Sequence, residues 1–117
     1  MVSVGDLAKH VTPCKPQDNV SVAADVMKNE NVTIVPVCDE NDQLSGIVTD
    51  RAIAVGGAVS TVGELVEKPS MTLSPEMKPE EAASLMNDSR LTEVIVLDGE
   101  KFVGIVSYFQ LKEKMNA

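Results

Sequence analysis

Apolar and polar positions follow one another in two blocks with the same order along this chain. In the first block Val20, Ala23, Ala24 and Met27 recur at the i, i+3, i+4, i+7 spacing of one helical face. In the second, Pro79, Ala82, Ala83 and Met86 repeat that spacing, and Pro79 suits a first helical turn. The paired alanines predict helices that lie close against a sheet. Each helix precedes a run rich in β-branched residues, VTIVPV (32–37) or TEVIVL (92–97). A polar turn follows, DENDQ (39–43) or DGEK (98–101), of which Asp98-Gly99 is the stronger hairpin signal. A second strand comes next, LSGIVT (44–49) or FVGIVS (102–107). Thr49 and Ser107 stand where those strands give way to a last helix, and both are good N-caps. AVGGAVS (54–60) ends one such helix and joins the blocks.

The correspondence continues upstream. SVGDL (3–7) matches TVGEL (61–65), and both carry capping-box spacing, Ser3 with Asp6 and Thr61 with Glu64. Short extended segments follow, VTPCKP (11–16) and SMTLSP (70–75). The copies are offset by 58 or 59 residues. The pattern therefore reads β-α-β-β-α twice, with residues 1–58 as the first unit and 59–117 as the second. Two copies are too few for a solenoid, which needs about three. They predict an α+β module whose halves bury a face against each other.

Composition adds constraints. A chain of 117 residues is long enough for one real core, and at 44% apolar it has the material. Phe102, Tyr108 and Phe109 are the only aromatics, so that core is aliphatic. Net charge is −8, with ten Lys and Arg spread along the chain, which argues against nucleic acid and anionic lipid as partners. A small anion can still be held where Arg51 or Lys15 outweighs the global field. No apolar run spans a bilayer, and MVSVGDLAKH lacks the layout of a signal peptide. Cys14 and Cys38 fit neither a metal-ligand spacing nor a disulfide framework. These features predict a reduced, cytoplasmic protein without membrane insertion.

Two stretches are the most specific: IVPVCDENDQLSGIVTDRAI and VIVLDGEKFVGIVSYFQL. Each is a hydrophobic strand, a turn, a strand ending in Gly, two apolar residues and Thr or Ser, and a helix start. In register, each behind its Ala-Ala-x-x-Met helix, they closely resemble the cystathionine-β-synthase (CBS) domain in tandem. The resemblance covers nearly the whole chain. It implies two units packed about a pseudo-two-fold axis with a cleft between them. It also implies regulatory sensing of a small adenosyl ligand (AMP, ADP, ATP or S-adenosylmethionine) and a homodimer.

In that family the motif hydroxyl contacts ribose or phosphate, which points to Thr49 and Ser107. A helix start also offers amides and a positive dipole end to an anion. By the same resemblance Arg51 reaches a phosphate, Lys15 lines the cleft, Ile34, Val35, Val94 and Ile95 wall an adenine pocket, and Tyr108 stacks on a base. Each also has a plain role: N-cap, solvated helix charge, surface lysine, sheet core or interface packing. The family's motif continues from the hydroxyl through two residues to an Asp that accepts from both ribose hydroxyls. Here Ala52 and Gln110 occupy those positions. Gln110 can accept one bond, whereas the Ala52 side chain can accept none. That departure supports the alternative function, a structural dimerisation or protein-interaction module that binds no nucleotide. A catalytic role has little to stand on. His10 is the only histidine and has no evident orienting partner. DENDQ has Leu44, not Gly, at the sixth position of a calcium loop. No glycine-rich phosphate loop, nucleophile elbow or zinc motif is present. The expectation is a non-enzymatic module with no resident cofactor.

Overall fold

A computed structural model describes residues 1–56 and 59–116 of the chain. Gly57 and Ala58 of the predicted joining segment 54–60, and Ala117, lie outside the described residues. In chain order the elements are α1 (Val4–Leu7), α2 (Val20–Glu30), β1 (Ile34–Cys38), β2 (Leu44–Thr49), α3 (Asp50–Val55), a 3-10 turn (Val62–Glu64), β3 (Thr72–Leu73), α4 (Pro79–Asp88), β4 (Glu93–Asp98), β5 (Lys101–Ser107) and α5 (Tyr108–Met115). The predicted helices and hairpins are all present. The extended segment 11–16 is reduced to a single parallel bridge, Cys14 to Val37, where its counterpart forms β3.

The chain divides into two compact units, Val11–Pro69 and Met1–His10 with Ser70–Ala117. These are a different division from the sequence repeats 1–58 and 59–117. Residues 1–10 open the first repeat but complete the unit built from the second. The reason lies in backbone bonding. Val4 N–H donates to the Met77 carbonyl at 2.9 Å and Gly5 N–H to that of Pro75 at 2.8 Å. Lys9 and Ile105 exchange both of their backbone bonds at 2.8 Å. The other unit repeats this arrangement: Val62 donates to Asp18 and Gly63 to Pro16 at 2.8 Å, and Glu67 exchanges both bonds with Ile47 at 2.9 Å.

In the unit Val11–Pro69, β1 and β2 form an antiparallel hairpin running from Ile34↔Thr49 to Cys38↔Leu44, with a bulge at Val37/Cys38. Pro36 sits inside β1 without breaking it. Cys14 donates to the Pro36 carbonyl and accepts from the Cys38 amide, both at 2.9 Å, so this parallel pairing never calls on the proline nitrogen. The Asp39 carboxylate shapes the turn by accepting from the Asn41 and Gln43 amides at 2.8 and 3.0 Å. Asn19 caps α2, and Asn31 ends it in the left-handed region at φ 56°.

In the other unit, β4 pairs antiparallel with β5 and parallel with β3. Val94 and Val96 alternate onto one face of β4, with Val106 opposite Val94. That face meets Ala82, Ala83 and Met86 of α4 and Leu111 of α5 in one buried cluster that also takes in Val4 and Leu73. The alanines let α4 lie close to the sheet, as their spacing predicts. The counterpart of Asn31 here is Arg90, held at φ 58° without the short polar side chain that favours this conformation. Among the described residues, no helix is long and apolar enough to cross a membrane.

The capping boxes are local. The Asp6 carboxylate accepts from the Ser3 amide at 2.9 Å, and that of Glu64 from the Thr61 amide and hydroxyl at 3.2 and 3.0 Å. The Ser3 amide bond, then the Ser3 hydroxyl, hold the Asp6 carboxyl below its usual range; the Thr61 hydroxyl, then its amide, do so for Glu64. Each box closes only a single turn.

Candidate functional site

The two motif hydroxyls end matching strands in matching geometry. Thr49 Oγ1 accepts from the Ala52 amide at 3.0 Å, and Ser107 Oγ accepts from the Gln110 amide at 3.1 Å. The next amide is anchored alike in both copies: Asp50 donates to the Thr33 carbonyl and Tyr108 to that of Thr92, both at 2.9 Å. The glycine three residues before each hydroxyl is explained by the crossing segment. A Cβ on Gly46 would lie 2.8 Å from the Glu67 carbonyl oxygen, and one on Gly104 would lie 2.7 Å from that of Lys9. These glycines admit backbone.

The helix starts are less open than their sequence suggests. In α3 the Arg51 amide is also taken, by the Asp50 carboxylate at 2.8 Å. The first three amides of α3 therefore all have acceptors within the chain. The expectation that this helix start offers bare amides to an anion is corrected, because local capping consumes them. Thr49 has a further partner, since its hydroxyl lies 3.4 Å from Glu67 Oε1.

The other candidates are distributed as follows. Ile34 is half-buried and pairs directly with Thr49, while Val35 beside it is fully buried. Arg51 is exposed on the first turn of α3. Lys15 is not brought to that group. It borders a hollow of about 350 Å³ with Pro16, Gln17, Cys38, Asp39, Glu40 and Asn41, at the end of β1 away from Ile34. In the other unit Val94 is 2% exposed and belongs to the core cluster. Tyr108 packs partly on that cluster and meets Phe109 edge to face, with ring centroids 6.2 Å apart. Gln110 is exposed, and Glu93 of β4 pairs with Ser107. His10 lies against Phe102, centroids 5.9 Å apart. Lys9 and Glu67, which no sequence motif marks, are brought to the motif strands by the crossing segments.

The CBS domain family model matches residues 4–55 and again residues 62–116. The chain belongs to the CBS domain family. It is a CBS pair, two copies of one unit with mixed helix and strand. The CBS domain-containing protein YhcV of Bacillus subtilis is 30% identical over 114 residues, which cover 92% of this chain and 81% of YhcV. Inosine-5'-monophosphate dehydrogenase of Methanocaldococcus jannaschii is 30% identical over 101 residues, 85% of this chain but only 20% of that enzyme. The CBS pair here thus corresponds to a fraction of the longer protein. Among solved structures, Arabidopsis thaliana CBSX2 in complex with AMP shares the fold with a TM-score of 0.83 at 22% identity, over 99% of this chain and 97% of that one.

The two thiols lie apart from both motif hydroxyls in sequence and are free and buried. Desolvation, then the Asp18 and Glu30 charges, push Cys14 up to about 11. Desolvation, followed by Asp42, Asp39 and Cys14, does the same for Cys38. At pH 8 only roughly one thiol in a thousand is then a reactive thiolate. Native protein is expected to resist iodoacetamide at pH 8 and to label fully once unfolded, and reductant should leave its melting temperature unchanged. The folded values lie above the unfolded value of 9.0, so the thiols' contribution to stability is complete below pH 9 and is lost as pH rises towards 11. Rapid native labelling would refute this assignment.

Proposed function

We propose that this CBS pair is a regulatory module that senses a small adenosyl ligand of the AMP, ADP, ATP or S-adenosylmethionine class and works as a homodimer without catalysing a reaction. The observation that carries this reading is the duplicated motif geometry, with Thr49 and Ser107 set alike at strand ends by their caps to Ala52 and Gln110. The likeness to CBSX2, solved with AMP, supports the ligand class. Thr49 with Ile34, and Ser107 with Tyr108, are the residues assigned to contact it. Partners on the regulated side belong to the same proposal. Exposed Val22 and Leu85 supply apolar surface for pairing.

A second reading is an interaction module without nucleotide, favoured by Ala52 and Gln110 in place of the ribose-binding carboxylates. Calorimetry with adenosine, AMP and S-adenosylmethionine separates the two. Wild type is expected to bind at least one. Ala52→Asp, which places a carboxylate one helical turn from Thr49, should tighten adenosine binding by roughly tenfold to a hundredfold at most, since a hydrogen bond to a charged group contributes about 1.5–3 kcal/mol. AMP should gain less, because the new charge repels its phosphate. Ser107→Ala should weaken binding at the second motif. No heat from wild type or Ala52→Asp with any of the three ligands would overturn the adenosyl reading in favour of the second.

A further inference from the structure

The two motifs share a backbone but differ in the charge that the crossing segment delivers. Glu67 and Lys9 hold equivalent places, one bridged to Ile47 and the other to Ile105, each two residues before a motif hydroxyl. In the first copy the carboxylate reaches that hydroxyl, with Oε1 at 3.4 Å from Thr49 Oγ1. This contact is long for a hydrogen bond, but a charge acts over several ångströms. Asp50 adds a second carboxylate, engaged with the Arg51 amide, and the exposed Arg51 side chain brings one positive charge on the same turn. The first three amides of α3 are already occupied. In the second copy the residue in the place of Asp50 is Tyr108, and the residue in the place of Glu67 is Lys9, with Glu93 across from Ser107 as the nearby acid. Of these named groups, the first motif has two acids and one base and the second has one of each.

We infer that Glu67 sets ligand choice: the Thr49 motif selects an adenosyl ligand without phosphate, and the Ser107 motif is the one that accepts an adenosine phosphate. This rests on the adenosyl-ligand reading above and assigns different ligand chemistry to its two copies. Glu67 is a specificity residue, and its exposed side chain can be changed without touching its backbone bonds to Ile47.

The test is a titration of the wild-type chain, Glu67→Gln, Glu67→Lys and Lys9→Gln with adenosine and with AMP, followed by NMR through the methyl signals of Ile47 and Ile105, one beside each motif. Retained amide protection at Ile47 in the Glu67 variants, and at Ile105 in Lys9→Gln, confirms that each variant is folded. In wild type the Ile47 signal should respond to adenosine at lower concentration than to AMP. Glu67→Gln should strengthen AMP at Ile47 by about three- to tenfold while changing adenosine less than about twofold, as expected for removing one charge several ångströms from a phosphate near a protein surface. Glu67→Lys should strengthen it further. Lys9→Gln should weaken AMP at Ile105 alone. An AMP-to-adenosine ratio at Ile47 that is unchanged in Glu67→Gln and Glu67→Lys overturns this inference while leaving the adenosyl reading intact. Silence of both signals towards both ligands overturns the two together.

Discussion

Met86→Ala is expected to cost about 2–5 kcal/mol, the usual range for removing a fully buried methionine and leaving part of its volume empty. Met86 is 0% exposed and belongs to the same buried aliphatic cluster as the α4 alanines and the β4 valines. Close packing of Ala82 and Ala83 against the sheet leaves the helix little room to settle into the gap. Domain stabilities run to about 5–15 kcal/mol, so this change removes a large share of the total. Its repeat counterpart, Met27, is only half-buried, because α2 buries Ala23 and Val26 instead. Met27→Ala should therefore cost about 1 kcal/mol, in the ordinary range for point changes. Urea unfolding of both variants checks the pair, and equal costs would show that the two helices pack alike after all.

Gly104→Ala and Gly46→Ala are expected to destabilise by about 1–3 kcal/mol each, as overpacking does. The added methyl meets main chain, 2.7 Å from the Lys9 oxygen and 2.8 Å from the Glu67 oxygen, and main chain cannot swing aside as the tip of a side chain can. The crossing segment has to lift off the strand or the strand has to bend. Hydrogen exchange distinguishes this from a general loss of stability. Amides of Lys9 and Ile105 should lose protection first in Gly104→Ala, and those of Glu67 and Ile47 first in Gly46→Ala. Gly99→Ala is the control. No atom lies within 4 Å of its Cβ, and its cost is the roughly 1 kcal/mol strain of a φ of +65°. Unchanged protection at Lys9 and Glu67 would refute the account.

Much of this fold is legible in the sequence because its signals are short-range. Pro79 at the first turn of α4, the N-caps Thr49 and Ser107, the capping boxes and the turn at Gly99 each depend on residues within one turn of one another. The unequal burial of Met27 and Met86 is not legible, since equal spacing says which residues share a face but not how deep that face lies. Nor is the destination of residues 1–10, because no local pattern states which repeat a terminal segment docks against. The candidate site divides the same way. The hydroxyls are where the motif places them, whereas Lys15 falls at the far end of β1. Glu67 carried one usable signal: the offset that aligns Gly5 with Gly63 also aligns Lys9 with Glu67. Opposite charges at matched positions become informative only once both are seen to cross a motif strand.

The exchange of opening segments gives the two units different histories during synthesis. Val11–Pro69 is continuous in sequence and holds the backbone partners of its own crossing segment, including Glu67 for Ile47, so it can close as soon as that stretch has been made. The other unit is discontinuous. Its residues 1–10 are made before Val11–Pro69, yet their partners Pro75, Met77 and Ile105 are made after it. Joining Lys9 to Ile105 closes a loop of roughly a hundred residues, an entropic cost that grows only slowly with length but falls on the final step. A prefolded first unit shortens that loop by replacing flexible chain with a rigid spacer. The order of residues along the chain thus lets the first CBS unit close before the second has all of its strands.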